Sequence, residues 1–354
     1  MKHRILFWAA VCLLGIVASS VWAGTKSFSV KSGGTLFVDV KTGEISLEPW
    51  EKEEVSVEAK GIPEREVENL LIENTDDGVR VKYNPSHRWN NSRGPSFAIR
   101  VPSQYNAELR TGGGRIEEHG SLRGTFDATT GGGEVHVERI VGNMKAKTGG
   151  GEVRIDVVEG DADLRTGGGQ MNIHHVTGAL EVSTGGGQVH VDSVQRSLNV
   201  KTGGGSIEVT GAPTGTRLST GGGSLEVNGS KGRIEASTGG GHLELKSLVG
   251  SVEASTGGGS VSAELDPTDA EPSKIMTGGG DIEFSVPANA KATIHAIIRL
   301  EDASPEDYGI VSDFEAQKNS TSDDDEINRT YILNGGGQEI TLKTTNANIE
   351  IRKK

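Results

Sequence analysis

The stretch ALEVSTGGGQVHVDSVQRSLNVKTGGG, residues 179–205, contains two Thr-Gly-Gly-Gly tetrads, which begin at Thr184 and Thr202. Ten such tetrads occur along the chain. Their first interval is nineteen positions, the next seven are eighteen each, and the last is twenty-one. A period this regular is typical of one supersecondary unit stacked on copies of itself. The tetrads begin at Thr111, Thr130, Thr148, Thr166, Thr184, Thr202, Thr220, Thr238, Thr256 and Thr277.

Apolar residues alternate with polar residues on both sides of each tetrad. Around Thr184, the apolar positions are Leu180 and Val182 before the threonine and Val189 and Val191 after it. Period-two alternation is typical of strands with one buried face. We therefore expect two short strands per repeat, with the threonines in phase with the apolar side chains and stacked as a ladder.

The glycine triplets are predicted to form sharp corners between these strands, because a positive φ favours glycine. On this interpretation, Gly204→Val destabilises the fold by more than about 1 kcal/mol, whereas the outward change Ser206→Thr is near neutral. A second bend is predicted twelve residues after the threonine, where glycine recurs. The glycines at this second bend are Gly142, Gly160, Gly178, Gly232 and Gly250.

One repeat cannot bury its apolar face alone, but stacked repeats can, with neighbouring strands about 4.8 Å apart. The predicted fold is therefore all-β, a single-stack parallel β-solenoid with about 18 residues per coil. A left-handed hexapeptide coil is disfavoured because the apolar positions do not recur every six residues. A right-handed β-helix is favoured because parallel crossovers are usually right-handed.

Four regions are predicted along the chain. They are a signal peptide (1–23), an N-terminal β region with degenerate first coils (24–106), the regular solenoid repeats (107–286), and an acidic loop with C-terminal capping coils (287–354). The signal peptide is predicted from its basic start, its apolar core and a cleavage site after Ala23. The only cysteine, Cys12, lies inside it, so no disulfide is expected. The expected location is periplasmic or extracellular, at the cell surface.

The formal net charge is −13, and it becomes −15 once the basic residues of the signal peptide are removed. So acidic a chain is not expected to hold nucleic acid or an anionic membrane by charge. Residues 301–329 contain ten Asp or Glu against two basic residues, and they are predicted to form a solvated loop. A calcium loop is the alternative, although the stretch lacks the glycine and the ligand spacing of a known motif.

One polar cluster is distinct. Asp156, His174 and Asp192 occupy the same position in three consecutive repeats, and His190 lies on the same face. Stacking is predicted to place an imidazole between two carboxylates, as surface residues of opposite polarity. Coils spaced by a strand separation are loose for the fixed geometry of a metal site. Elsewhere, Glu118 replaces an apolar residue, and we interpret it as an irregularity of an edge coil because burial of a lone carboxylate is costly.

Catalytic motifs are not evident. The sequence has no Gly-x-Ser-x-Gly elbow, and no lysine follows the glycine triplets as it would in a phosphate loop. We therefore predict no catalytic, cofactor-binding or metal site, no cofactor and no enzyme activity.

The tetrads, together with Val101-Pro102, Val286-Pro287 and the closing Asn334-Gly-Gly-Gly, resemble a bacterial putative-adhesin family of β-strand-repeat proteins. The resemblance covers nearly all of residues 25–354. It implies a cell-envelope protein with a domain of unknown function, and it carries over no catalytic residues.

The expected function is an exported, non-catalytic scaffold or adhesin-like binding protein with an extended repetitive polar surface. Its partner would be a glycan or an envelope protein, with no nucleic acid and no transmembrane anchor in the mature monomer. The alternative is a polysaccharide-active β-helix enzyme, which would need long loops and clustered carboxylates. End-to-end polymerisation is disfavoured because the degenerate terminal coils resemble caps.

Overall fold

The computed structural model describes residues 21–86, 94–268, 271–322 and 325–354. Residues 1–20 of the predicted signal peptide lie outside this range, so that prediction is not tested. The described residues contain 32 strands, joined in one sheet, and one 3-10 helix. Most strand pairs are parallel, and the predicted all-β, solenoid-like fold is confirmed.

Seven strands and the 3-10 helix, Glu64–Asn69, precede the repeats. The strands are β1 (Val21–Ser29), β2 (Thr35–Val40), β3 (Glu44–Trp50), β4 (Glu54–Pro63), β5 (Leu70–Thr75), β6 (Gly78–Tyr83) and β7 (Ser96–Pro102).

The repeats contribute strands β8 to β26. They are β8 (Asn106–Thr111), β9 (Ile116–Glu118), β10 (Leu122–Arg123), β11 (Phe126–Thr130), β12 (Val135–Val141), β13 (Met144–Thr148), β14 (Val153–Val158), β15 (Ala162–Thr166), β16 (Met171–Val176), β17 (Ala179–Thr184), β18 (Val189–Val194), β19 (Ser197–Thr202), β20 (Ile207–Ala212), β21 (Thr216–Thr220), β22 (Leu225–Thr238), β23 (Leu243–Thr256), β24 (Val261–Asp266), β25 (Ser273–Thr277) and β26 (Ile282–Val286). The C-terminal strands are β27 (Ala292–Arg299), β28 (Ile310–Ser312), β29 (Lys318–Ser322), β30 (Glu326–Leu333), β31 (Gln338–Thr345) and β32 (Ile349–Lys353).

Equivalent residues of successive repeats pair directly. Thr130 lies opposite Thr148 in the strands before the tetrads, and Val135 lies opposite Val153 in the strands after them. The solenoid therefore has two outward surfaces. We call the outer side of the strands that end at the threonines face A, and the outer side of the strands that follow the glycines face B.

The predicted apolar positions form the core, and the structure adds an inward column that the alternation did not reveal. This column lies ten residues after the threonine. It includes the buried side chains of Ile140, Val158, Val176 and Val194. The column escaped prediction because the buried and exposed positions change phase within strands such as β14, where two consecutive residues are only partly buried.

The threonine ladder is confirmed, and each hydroxyl makes two hydrogen bonds. Thr202 Oγ1 accepts the N–H of Gly205 at 3.2 Å and donates to the carbonyl oxygen of Gly187, in the preceding coil, at 3.1 Å. The same two contacts recur at all ten tetrads. Each threonine thus fixes its own glycine turn and ties it to the neighbouring coil.

The prediction that the tetrad glycines supply positive φ is wrong. Among the described residues, the positive-φ glycines lie outside the tetrads, for example Gly142 at the second bend. The tetrads need glycine because backbones approach closely. A Cβ on Gly203 would lie 2.2 Å from the carbonyl oxygen of Gly185, and one on Gly205 would lie 1.9 Å from that of Gly187. A Cβ added to the middle glycine, Gly204, would have nothing within 4 Å. The structure therefore gives no reason to expect a large loss of stability when Gly204 is substituted.

The N-terminal coils are stacked out of chain order. Strand β2 pairs in parallel with both β6 and β8, and β3 pairs with both β7 and β9. The coil formed by β2 and β3 therefore lies between the first repeat and an outer coil that comes later in the chain. Beyond this outer coil, β5 pairs antiparallel with β6, β4 with β7, and β1 with β4.

The C-terminal end uses the same arrangement. Strand β31 lies between β25 and β27, and β32 lies between β26 and β28. The antiparallel strands β30 and β29 then extend the sheet beyond β27. The prediction of a loop throughout residues 301–329 is therefore wrong, because this stretch supplies β28, β29 and the start of β30. The strand pattern is weak here because β28 lies at the end of the stack and buries none of its side chains fully.

The glycine contacts predict opposite responses within one tetrad. Gly203→Ala and Gly205→Ala should each destabilise the protein by about 2 kcal/mol or more, because the added methyl group meets backbone that cannot move aside without separating two coils. Gly204→Ala is the matched control and should change stability by less than about 0.5 kcal/mol. Denaturant unfolding of the three variants checks this. Equal losses at all three positions would refute the close-approach explanation.

The threonine ladder predicts a second difference. Thr202→Val keeps the shape of the side chain but leaves the Gly205 N–H and the Gly187 carbonyl without their partner, at a cost of about 1–3 kcal/mol. Thr202→Ser keeps the hydroxyl and loses only a methyl group, at a cost of about 1 kcal/mol. Thermal or chemical denaturation should therefore rank the valine variant below the serine variant. The reverse order would contradict a structural role for the hydroxyl.

Candidate functional site

The polar cluster with the shortest histidine–carboxylate contacts lies on face B, on four strands that are neighbours in the stack. Its members are Asp156 on β14, His174 on β16, His190 and Asp192 on β18, and Glu208 on β20. We call these five residues the histidine–carboxylate ladder. Parallel in-register pairing places them on one surface, since residues of equal phase point to the same side of each strand.

Asp192 is the centre of this ladder. His174 Nδ1 lies 2.6 Å from Asp192 Oδ2, and His190 Nε2 lies 2.7 Å from Asp192 Oδ1. Beyond this pair, His190 Nδ1 is 3.2 Å from Glu208 Oε2, and His174 Nε2 is 4.0 Å from Asp156 Oδ1. The expected imidazole between two carboxylates is thus present at His174, but its contact with Asp192 is much the closer.

Hydrogen bonds from His174, and then from His190, hold the pKa of Asp192 below its ordinary value. The side chains remain open to solvent, with 52% of His174 and 42% of Asp192 exposed. Interactions between charges this exposed are weak, so the ladder adds little to stability. In the parts of the chain that the structure describes, no three His, Cys, Asp or Glu side chains converge as metal ligands.

Face A carries ladders of its own. Arg165 binds Asp163 through two hydrogen bonds of 2.8 and 3.1 Å. Arg233 reaches carboxylates from three different coils, at distances of 2.7 to 3.1 Å. A groove of about 360 Å³ crosses four coils of this face, and its lining includes Lys145 and Asn199. Many charges on both faces are therefore already paired, either with a residue of the same strand or with one of a neighbouring coil.

Glu118 is the residue whose placement departs most from expectation. The sequence predicts an irregular edge-coil residue at this position, yet the side chain is completely buried in the apolar core, with 0% exposure. The edge-coil interpretation is wrong because two further coils, built from β2–β3 and β6–β7, stack outside it. The alternation in the sequence placed Glu118 in the column of apolar residues. It could not show that the coils of β2–β3 and β6–β7 bury this end of the column.

The acidic stretch remains without an assigned ligand. Asp323 and Asp324, which belong to the alternative calcium loop, lie outside the described residues. In the described part of the chain, no helix is long and apolar enough to cross a membrane.

The ladder predicts a small, acid-sensitive effect. Because the folded pKa of Asp192 is lowered, its contribution to stability is present above the unfolded pKa and is lost as the pH falls through the folded pKa. Asp192→Asn should therefore cost less than about 1 kcal/mol at neutral pH, and nothing in strong acid. Urea unfolding across pH, with Asp127→Asn as an outward-facing control on another strand, measures this. A cost as large at low pH as at neutral pH would contradict the assignment.

Comparison with solved structures gives matches that are described as putative adhesins. No curated protein sequence matches the chain. A crystal structure described as a putative adhesin from Bacteroides fragilis is 12% identical, with 94% of this chain and 98% of that one covered and a TM-score of 0.28. Another putative adhesin, from Parabacteroides distasonis, is 14% identical, with 75% and 90% covered and a TM-score of 0.31. Likeness at this level carries no information about what this chain binds.

A family profile gives a firmer result. It matches residues 34–228, which include the first coil of the chain and the repeats as far as β22. The resemblance to a family of putative adhesins with a domain of unknown function is confirmed. The chain belongs to the Toastrack DUF4097 family.

Proposed function

We propose that this protein is an exported, non-catalytic component of the cell envelope that binds an extended partner through face A or face B. The partner class is a glycan or another envelope protein. Export rests on the predicted signal peptide of residues 1–23, and the binding role rests on the surface that the repeats create.

The observation that carries the proposal is the in-register stacking of outward side chains. Each outward position of the repeat becomes a straight column with one side chain per coil. The column four residues after the threonine on face B contains Glu134, Glu152, Gln170, Gln188, Ser206, Ser224 and His242. Such a column suits a long partner, because many weak contacts along one line add up to useful affinity.

The polysaccharide-active enzyme is supported less well. Such an enzyme needs two carboxyl groups that flank a bound sugar, usually in a cleft. Several acidic groups of face B are paired with basic neighbours, as Glu152 is with Arg154 at 3.1 Å and Glu244 is with Lys246. The coils between residues 130 and 262 are also uniform in length, so they leave little chain for walls around a cleft.

Further details of the architecture belong to the same proposal. We favour a right-handed coil of about 18 residues, with the boundaries 1–23, 24–106, 107–286 and 287–354. A monomer fits the end coils, because antiparallel strands extend both sides of the N-terminal end and the β27 side of the C-terminal end, and they bar a simple continuation of the repeat.

The test is a glycan array, with a parallel overlay on envelope proteins, using residues 24–354. Two variants are compared with wild type, and each serves as the control for the other. Each variant replaces three side chains of one face by alanine. The face B variant changes His174, His190 and Asp192, and the face A variant changes Lys147, Arg165 and Lys201. We expect wild type to bind and one variant to lose at least about tenfold in affinity, since three contacts of a multivalent site are removed.

Two results would contradict the proposal. One is the absence of binding to every glycan and envelope protein tested. The other is turnover of a polysaccharide that replacement of Asp156, His174 and Asp192 by alanine abolishes, because such a result would show an enzyme.

A further inference from the structure

Glu118 occupies a place in the core that other coils fill with an apolar side chain. It is stacked between Leu47 on β3 and Val137 on β12, both of which are 0% exposed. Strand β9 ends at Glu118, in the repeat that begins at Thr111 and is one residue longer than the seven that follow it. The carboxyl group therefore lies at an irregular coil, where the N-terminal coils meet the regular repeats.

The carboxyl group of Glu118 accepts a backbone hydrogen bond that a main-chain carbonyl accepts elsewhere in the sheet. Glu118 Oε2 accepts the backbone N–H of Arg139 at 3.1 Å. One coil further on, Arg139 and Val157 are paired through their backbones as part of the regular ladder. The pairing of β9 with β12 stops at Glu118 and Val137, so the side chain supplies the acceptor for Arg139. The other oxygen, Oε1, is buried and has no hydrogen-bond partner among the described residues.

The charged groups around Glu118 form their closest ion pairs with other residues. Glu138 of β12 accepts the N–H of Gly120 at 2.7 Å and lies 3.3 Å from His119 Nδ1. His119 Nε2 lies 3.6 Å from Glu117. The guanidinium of Arg139 is turned away, toward Glu159 at 2.7 Å. On β3, Glu48 is held by Arg100 at the exposed surface. The imidazole is thus shared between two other carboxylates.

We propose that Glu118 is a proton-operated latch at the joint between the N-terminal coils and the repeats. In its neutral form the side chain stays in the core and holds β9 against β12. On ionisation the carboxylate leaves the core for water, the turn at His119 and Gly120 opens, and the N–H of Arg139 is released.

The pH range of the latch follows from burial. Desolvation raises the pKa of Glu118 from 4.5 to about 7, and the charge of Glu138 adds to the rise. The backbone N–H groups of Arg139 and Glu138 and the charge of His119 oppose it. Because the folded pKa is raised, the folded state binds the proton more tightly than the unfolded state does. The contribution of Glu118 to stability is therefore fully present below pH 4.5 and is lost as the pH rises to about 7.

Hydrogen exchange on the full exported chain tests this at single amides. Between about pH 5.5 and about pH 8.5, after correction for intrinsic exchange rates, the opening equilibrium at Arg139 should rise by about one to two orders of magnitude. Glu118→Gln keeps an acceptor for the Arg139 N–H but cannot ionise, so its opening should not depend on pH. Glu117→Gln, on the same strand but outside the core, should behave as wild type does.

A second measurement keeps the proposal testable if Glu118→Gln does not fold. The carboxyl carbon of Glu118 in wild type can be titrated by NMR, with Glu117→Gln used to resolve the neighbouring signal. A midpoint near neutral pH supports the latch. A midpoint close to that of an ordinary glutamate overturns it, as does equal pH dependence of opening in wild type and in Glu118→Gln.

Discussion

The two hydrogen bonds of each tetrad threonine are the contacts on which the stack depends. They join backbone groups that lie in neighbouring coils, and they recur once per coil at the corner between the two faces. That corner is tight enough that the carbonyl oxygen of one coil occupies the space of a side chain in the next. Threonine and two of the three glycines are therefore one unit: the glycines permit the approach, and the hydroxyl satisfies the polar groups that the approach would otherwise bury.

Because the coil is held by the inward side chains and by the threonine–glycine corner, the outward positions can vary. The inward columns and the corner determine the coil, so a change of residue on face A or face B alters the surface with little effect on the fold. Glutamate, glutamine, serine and histidine can thus follow one another in a single column without disturbing the stack. A scaffold with this property is suited to binding, because its surface chemistry changes along its length while its geometry stays constant.

Much of the fold could be predicted from the sequence, because repetition reports local geometry many times over. Strand alternation around Thr184, the buried threonines and the parallel stacking were predicted in this way. The glycine corner was located correctly but explained wrongly, since a backbone contact between coils leaves no trace in the local pattern. The order of the terminal coils was missed because β2 and β31 find partners far along the chain.

For the polar residues, too, the sequence predicted the position in the repeat but not the contacts or the burial. The column shared by Asp156, His174 and Asp192 could be predicted from spacing, whereas the choice of Asp192 as the centre depends on rotamers that spacing does not fix. Glu118 was noticed as an exception to an apolar column. Its complete burial follows from the outer coils, whose position only the tertiary structure reveals.

Amide hydrogen exchange of the tetrad glycines tests the central claim most directly. From the tetrad of Thr130 onward, the first glycine N–H bonds the threonine carbonyl of the preceding coil, as Gly203 does to Thr184 at 3.2 Å, and the third bonds its own threonine hydroxyl. The account predicts slow exchange at Gly203 and Gly205 and fast exchange at the exposed Gly204 between them, with the same order in the other repeats. Uniform exchange across the three glycines would contradict it.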